Sequence, residues 1–178
     1  MNVSEYIVDK LTKQNINTVF SVTGGGSMYL NNAFGKNKKF KCIYLHHEQS
    51  CSMAADVYAR IKKRPAVVCV TTGPGGINAI NGVFGAYTDS TPMIVISGQV
   101  KRATNMILKR KNNLRQLGDQ ENDIIHMVKK ITKKSILVKK ESEVFKNIDV
   151  WINEAVSGRP GPIWIDIPID IQGKNIKK

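Results

Sequence analysis

Six short apolar runs recur along the chain, at residues 18–22, 41–45, 66–70, 93–97, 135–138 and 163–167. Each is continuously apolar instead of alternating, which is the pattern of a strand buried on both faces. The segments between them carry helical spacing. Residues 3–14 place Val3, Tyr6, Ile7 and Leu11 on one face, and 143–156 do the same with Val144, Ile148, Ile152 and Val156. Residues 48–60 are rich in alanine and other small side chains, 76–87 follow a glycine turn, and 121–131 carry Ile124, Ile125, Val128 and Ile131. Buried strands alternating with helices require crossover connections and hence a parallel sheet. The pattern predicts an α/β fold, a three-layer sandwich with a mostly parallel sheet of about six strands and helices on both faces. Residues 100–118 break the pattern. They are basic and amide-rich, with Lys101, Arg102, Lys109, Arg110, Lys111 and Arg115, and a loop of that length inside a compact domain is usually functional.

Length and charge narrow the classes. The chain has 178 residues, enough for one domain and too few for a multidomain enzyme. No run approaches the roughly 18 apolar residues of a membrane span, and the N-terminus has no basic stretch leading into an apolar one. A cytoplasmic protein without a membrane partner is expected. The 27 Lys+Arg against 14 Asp+Glu give a formal charge of +13. Yet the lysines come as scattered pairs, such as Lys38-Lys39, Lys129-Lys130 and Lys177-Lys178, without interleaved aromatics, so a solvated surface is expected and no nucleic-acid partner. Cys42, Cys51 and Cys69 form no CxxC or Cys/His spacing, so buried reduced thiols are expected and no metal ligands.

Ligands of open α/β sheets gather beyond the carboxyl ends of the strands, which directs attention to the segment after each run. After the first comes Gly24-Gly25-Gly26-Ser27, where glycines let backbone approach a ligand and Ser27 is placed to cap a following helix. After the second, His46-His47-Glu48 opens a helix. A carboxylate there feels the helix N-terminus, which favours its charge, and burial, which opposes it. The adjacent histidines point to opposite sides and make a poor metal pair. After the third comes Thr71-Thr72-Gly73-Pro74-Gly75-Gly76-Ile77-Asn78. It lacks the Gly-Lys-Ser/Thr of a phosphate-binding loop and the third glycine and later acid of a dinucleotide fingerprint. With Pro74 stiffening the turn, it suits a flat group pressed on backbone. The fourth run ends in Ser97-Gly98-Gln99, and the chain holds no Gly-x-Ser-x-Gly nucleophile elbow.

In order and spacing these segments resemble the N-terminal, pyrimidine-binding domain of thiamine diphosphate enzymes of the acetolactate synthase and pyruvate oxidase group. The matching stretches are Val19 to Gly25, His47-Glu48-Gln49 with Ala54 to Arg60, Thr71 to Asn78, Asp89 to Val100, Leu114 to Glu121, and Gly158 to Pro168. The resemblance covers residues 1–172, leaving 173–178 as the start of a linker. It implies that Glu48 is the catalytic glutamate, hydrogen-bonding N1′ of the aminopyrimidine ring, a task that suits a carboxyl whose burial lets it hold a proton near neutral pH. It implies that Thr72, Gly73, Pro74, Gly75 and Asn78 flank the pyrimidine, and that Gly24, Gly25 and Gln120 lie on the substrate side. Thr71 and Thr72 stand where some decarboxylases of the superfamily carry a histidine, and Asp119 where acetolactate synthases tend to have an aromatic residue.

The family's central domain, and the domain that holds the diphosphate and Mg²⁺, have no counterpart in these residues. The resemblance therefore implies thiamine diphosphate bound at its pyrimidine end only, with Mg²⁺ belonging to a domain supplied in cis or in trans. It also implies a homo-oligomer, dimer or tetramer, and a chain inactive by itself. A subunit of a split enzyme and a noncatalytic α/β binding module are the alternatives.

Overall fold

A computed structural model describes residues 1–109 and 113–176; Arg110, Lys111, Lys177 and Lys178, counted above among the basic residues, lie outside the described residues. Among the described residues six strands form one sheet: β1 (Thr18–Ser21), β2 (Lys41–Tyr44), β3 (Ala66–Val70), β4 (Met93–Gln99), β5 (Lys134–Leu137) and β6 (Pro162–Pro168). Their order is β2-β1-β3-β4-β6-β5, and every pairing is parallel. The expected sandwich is thus present, with a sheet parallel throughout.

The helices are α1 (Val3–Lys13), α2 (Met28–Lys36), α3 (Glu48–Lys62), α4 (Pro74–Thr88), α5 (Met106–Lys109), α6 (Ile124–Val128), α7 (Glu141–Val156) and α8 (Ile169–Gln172). Strand side chains alternate between two cores. Val67, Cys69, Ile94, Ile96, Ile163 and Ile165 pack with Ile7 and Leu11 of α1, Leu30 and Phe34 of α2, and Ile148 and Ile152 of α7. Ala66, Val68, Val70, Met93, Val95 and Trp164 face the other way, onto Ala55 of α3, Ala79 and Val83 of α4, and Ile124 and Val128 of α6. Both faces being covered is why the runs of β1, β3, β4 and β6 read as continuously apolar, whereas β2 and β5, expected to be covered alike, are the edge strands and only partly buried.

Small residues bring α3 and α4 together. A Cβ on Gly82 would lie 2.6 Å from the Met53 amide nitrogen and 2.7 Å from the Ser52 carbonyl carbon. The tightness is backbone against backbone. The cysteines are free, with Cys51 and Cys69 buried and Cys42 only half-buried. Burial pushes the Cys51 thiol up to about 11 and Cys69 up to about 12, so neither is a ready thiolate.

Four local expectations change. The helix expected over 121–131 shortens to α6, because Asp123 takes the N-cap, its side chain accepting from the His126 amide at 3.0 Å. Pro74 is the first residue of α4 and not part of the turn, since a proline costs a helix nothing where no N–H partner exists. Ser27 does not cap α2: its hydroxyl donates to the Gly24 carbonyl at 3.3 Å and accepts from Asn31, inside a short 3₁₀ turn over Gly25–Ser27. The 100–118 segment begins with a 3₁₀ turn over Arg102–Thr104 followed by α5.

Candidate functional site

From β1 the chain steps outward to β2 and then returns to place β3 on the other side of β1. The connections leaving β1 and β3 therefore diverge, which opens a crevice at their carboxyl ends. Both glycine-rich segments stand there. Gly26 N donates to Thr71 Oγ1 at 3.0 Å, and Thr72 Oγ1 donates to the Gly98 carbonyl near the carboxyl end of β4 at 3.0 Å. A Cβ on Gly24 would come within 2.5 Å of the Thr71 Cβ, whereas one on Gly25 would meet nothing within 4 Å. Gly24 is thus required by packing, and Gly25 faces open space.

Glu48 is the first residue of α3, after His47, whose Nδ1 accepts from the Gln49 amide at 3.2 Å and caps the helix. The Glu48 side chain is 8% exposed. Its Oε2 accepts from Asn78 Nδ2, on the second turn of α4, at 3.0 Å. Oε1 has no donor among the described residues, and a Cβ on Gly75 would lie 3.3 Å from it. One carboxylate oxygen is therefore anchored and the other is left beside a bare backbone. Gly73 has φ +65°, ψ −118°, a conformation open to glycine. A side chain there would run into the Gln120 carbonyl, so the Gly73 turn and the Gln120 segment are in direct contact.

A cleft of about 520 Å³ adjoins this arrangement, lined by Gly24, Gly25, Gly26, Thr71, Thr72, Gln99, Lys101, Asp119 and Gln120 among others. The structure thus brings Gly24, Gly25, Thr72 and Gln120 to one cleft. Glu48, Gly75 and Asn78 form a second cluster behind it, joined through Thr71 and the Gly73 turn. Another cleft, of about 580 Å³, lies at the amino ends of the strands between Phe84, Tyr87, Lys133 and Arg159, away from all of these residues.

Sequence reasoning missed a buried polar group below the cleft floor. Asp166 of β6 is 1% exposed and accepts from Ser97 Oγ at 2.6 Å and Gln99 Nε2 at 3.0 Å. Burial pushes it up to about 7 against the pull of those two donors. The available signal was a carboxylate inside Ile165-Asp166-Ile167, where a doubly buried strand should carry none. Gln172 was missed too; its Nε2 donates to the carbonyls of Gly26, at 2.7 Å, and Ile167, at 2.8 Å, and ties α8 to the first glycine loop.

With this geometry in place, known proteins give the context. The family model described as thiamine pyrophosphate enzyme, N-terminal TPP binding domain, matches residues 1–127. The chain belongs to that family. Among relatives of the thiamine pyrophosphate enzyme domain, the acetolactate synthase large subunit of Buchnera aphidicola is 41% identical over 177 residues, 98% of this chain and 29% of its own. The mitochondrial acetolactate synthase of Schizosaccharomyces pombe is 35% identical over 174 residues, 98% of this chain and 25% of its own. The chloroplastic acetolactate synthase of Arabidopsis thaliana is 34% identical over 172 residues, 95% of this chain and 24% of its own. The chain thus spans about a quarter of the length of the relatives it matches. The match covers the β1, β3 and β4 loops, Glu48 and Gln120.

Proposed function

We propose that residues 1–172 are the pyrimidine-binding half of a thiamine diphosphate-dependent, acetolactate synthase-like enzyme acting on 2-oxo acids, with Glu48 as the catalytic carboxyl. The observation that carries the reading is Glu48 itself: buried at the head of α3, held at Oε2 by Asn78, and with Oε1 facing Gly75 without a donor. That fits an aminopyrimidine ring, which Glu48 Oε1 and the Gly73 to Gly75 backbone would hold. The cofactor, when bound, supplies a carbon nucleophile for attack on a substrate carbonyl. The chain's own part is to hold a proton at Glu48 Oε1, to keep that carboxyl in place through Asn78, and to present Gly24, Gly25 and Gln120 to the substrate.

The diphosphate and Mg²⁺ fall, in this reading, to a domain supplied in cis or in trans. The chain would be inactive without it. Met53, Val57 and Ile61, at every fourth position of α3, are exposed together with Ile77 and Phe84 of α4. This apolar stripe on neighbouring helices supports a homo-oligomer, dimer or tetramer, in which the face is covered. A cytoplasmic setting, in keeping with free cysteines, belongs to the same reading; among the described residues no helix is long and apolar enough to cross a membrane.

Thiamine titrated into the ¹⁵N-labelled chain tests the pyrimidine site. The amides of Gly73, Gly75 and the Asn78 side chain should shift, and Glu48→Ala should remove the effect. Shifts that persist in Glu48→Ala, or that centre on Phe84 and Tyr87, would defeat the assignment. Replacing the matched segment of the Buchnera enzyme by this chain tests catalysis; Glu48→Gln in the chimera should lower turnover on the order of 10²-fold or more.

A further inference from the structure

A buried polar chain crosses the carboxyl end of the sheet, and the cofactor contacts above make no use of it. Trp164 Nε1 donates to Ser97 Oγ at 2.7 Å, Ser97 Oγ donates to Asp166 Oδ1 at 2.6 Å, and Gln99 Nε2 donates to Asp166 Oδ2 at 3.0 Å. All four residues are at most 1% exposed. β4 and β6 already pair in register from Met93↔Pro162 to Gln99↔Pro168, so the strands do not need a carboxylate to find each other. Burying one is costly, and such networks mainly fix a unique arrangement.

What is fixed can be followed from Gln99. The same Nε2 donates to the Asn122 carbonyl at 3.2 Å, while Oε1 accepts from the Val100 amide at 2.9 Å. With both ends engaged, the amide has one orientation. Asn122 is two residues from Gln120, whose left-handed backbone, φ 53°, sets its carbonyl against Gly73. The far side of the segment is pinned by Glu121, whose carboxylate accepts from the amides of Leu117, Gly118 and Met106, each at 2.8 Å. Gln99 thus stands between a buried acid and the backbone that carries Gln120, and it also lines the cleft.

We propose that Gln99, oriented by Asp166 and Ser97, is a positioning residue that holds the 120–122 segment on the Gly73 turn and thereby sets the place of Gln120 at the cleft. Its meaning for catalysis rests on the thiamine diphosphate reading; the clamp does not. An ionised Asp166 accepts at both oxygens and keeps Gln99 in place. Once protonated, one oxygen becomes a donor and the other still accepts, so Gln99 is left with a neutral acceptor in place of a charged one and a weaker hydrogen bond. The clamp should therefore loosen as pH falls through about 7. The charged groups on the elements around Asp166 are Asp123 and His126 at α6, Lys134 at the start of β5 and Lys139 just after it, Glu48 across the Gly73 turn, and Arg102, paired with Asp170 at 2.7 Å. Asp123 adds to the rise, and α4 contributes no charge.

The test uses the ¹⁵N-labelled chain without cofactor, from pH 5 to 9. The Trp164 indole N–H, the Gln99 side-chain NH₂ and the amides of Gly73, Gln120 and Asn122 should share one midpoint near 7. The other tryptophan, Trp151, is on α7 and serves as the internal control. Asp166→Asn should abolish the shared transition and His126→Gln should leave it. Gln99→Leu should uncouple the 120–122 amides from Trp164 and speed hydrogen exchange at the Glu121 amide, which donates to the Gly118 carbonyl at 3.3 Å, at least tenfold, while Asp166→Asn, which keeps a neutral acceptor for Gln99, should change it less. Trp164 titrating while the 120–122 amides stay still, or exchange within twofold of the parent in Gln99→Leu, overturns the proposal. If no group titrates, exchange in Gln99→Leu decides; if that variant does not fold, the parent's shared midpoint decides. No thiamine is added, so failure here leaves the Glu48 assignment standing, and the converse holds.

Discussion

Replacing Asp166 by asparagine should make the chain more stable, and by an amount that depends on pH in a defined way. Burial raises Asp166 from an ordinary 3.8 to about 7. Between those values the folded chain keeps a proton that the unfolded chain has released. The associated stability is therefore complete below about 4 and is lost as pH rises through about 7. The gap of about 3 units, at about 1.4 kcal/mol each, sets an upper scale of about 4 kcal/mol for the full loss. Asparagine does not titrate, and giving up the hydrogen bond from Ser97 costs it about 1 kcal/mol. Urea unfolding of parent and variant at pH 5, 6, 7, 8 and 9 isolates this group, because every other titration is common to both. The stability of the variant relative to the parent should climb by about 3 kcal/mol from pH 5 to pH 8 and then level off. A difference that stays flat from pH 5 to 8 would show Asp166 ionised throughout, with its two donors prevailing over burial, and would refute the reasoning.

Three further substitutions probe the backbone. Gly73→Ala forces a side chain into a positive φ and against the Gln120 carbonyl; denaturant unfolding should show a loss of about 1–3 kcal/mol, and an unchanged midpoint would mean the turn relaxes freely. Gly82→Ala should also destabilise by about 1–3 kcal/mol, although alanine is the better helix former by about 1 kcal/mol, because the new Cβ meets the Ser52–Met53 backbone; a raised melting temperature would show that α3 and α4 can separate without loss. Lys63→Gly, at the left-handed C-cap of α3 with φ 55°, should gain about 0.5–1 kcal/mol, and a fall in the denaturant midpoint would count against it.

Much of the architecture was legible because burial on both faces writes itself into composition. Ala66–Val70 was found to the residue, and the ends of α1 and α7 to within two. Glu48 and the Gly73 turn were legible as motifs at strand ends, and Gln120 through the family resemblance that the motif order carries. The misses have local causes. Residues 121–131 carry the apolar spacing of a longer helix, but Asp123 caps the chain later, and Glu121 is engaged by three amides of the preceding segment. Ser27 has the chemistry of a cap, yet a 3₁₀ turn redirected its hydroxyl to Gly24.

The sequence by itself determined the layers, the parallel sheet and the family, since these follow from periodicity and from motifs whose order survives in one dimension. Tertiary structure alone decided which oxygen of Glu48 is anchored, that Gly73 and Gln120 touch, and that Asp166 is buried beneath them. Residues 48 and 78, 73 and 120, and 99 and 166 meet because strand order brings separate loops to one end of the sheet. Pairings at that separation carry no periodic signal, and the desolvation that raises Asp166 exists only once both cores have closed around it.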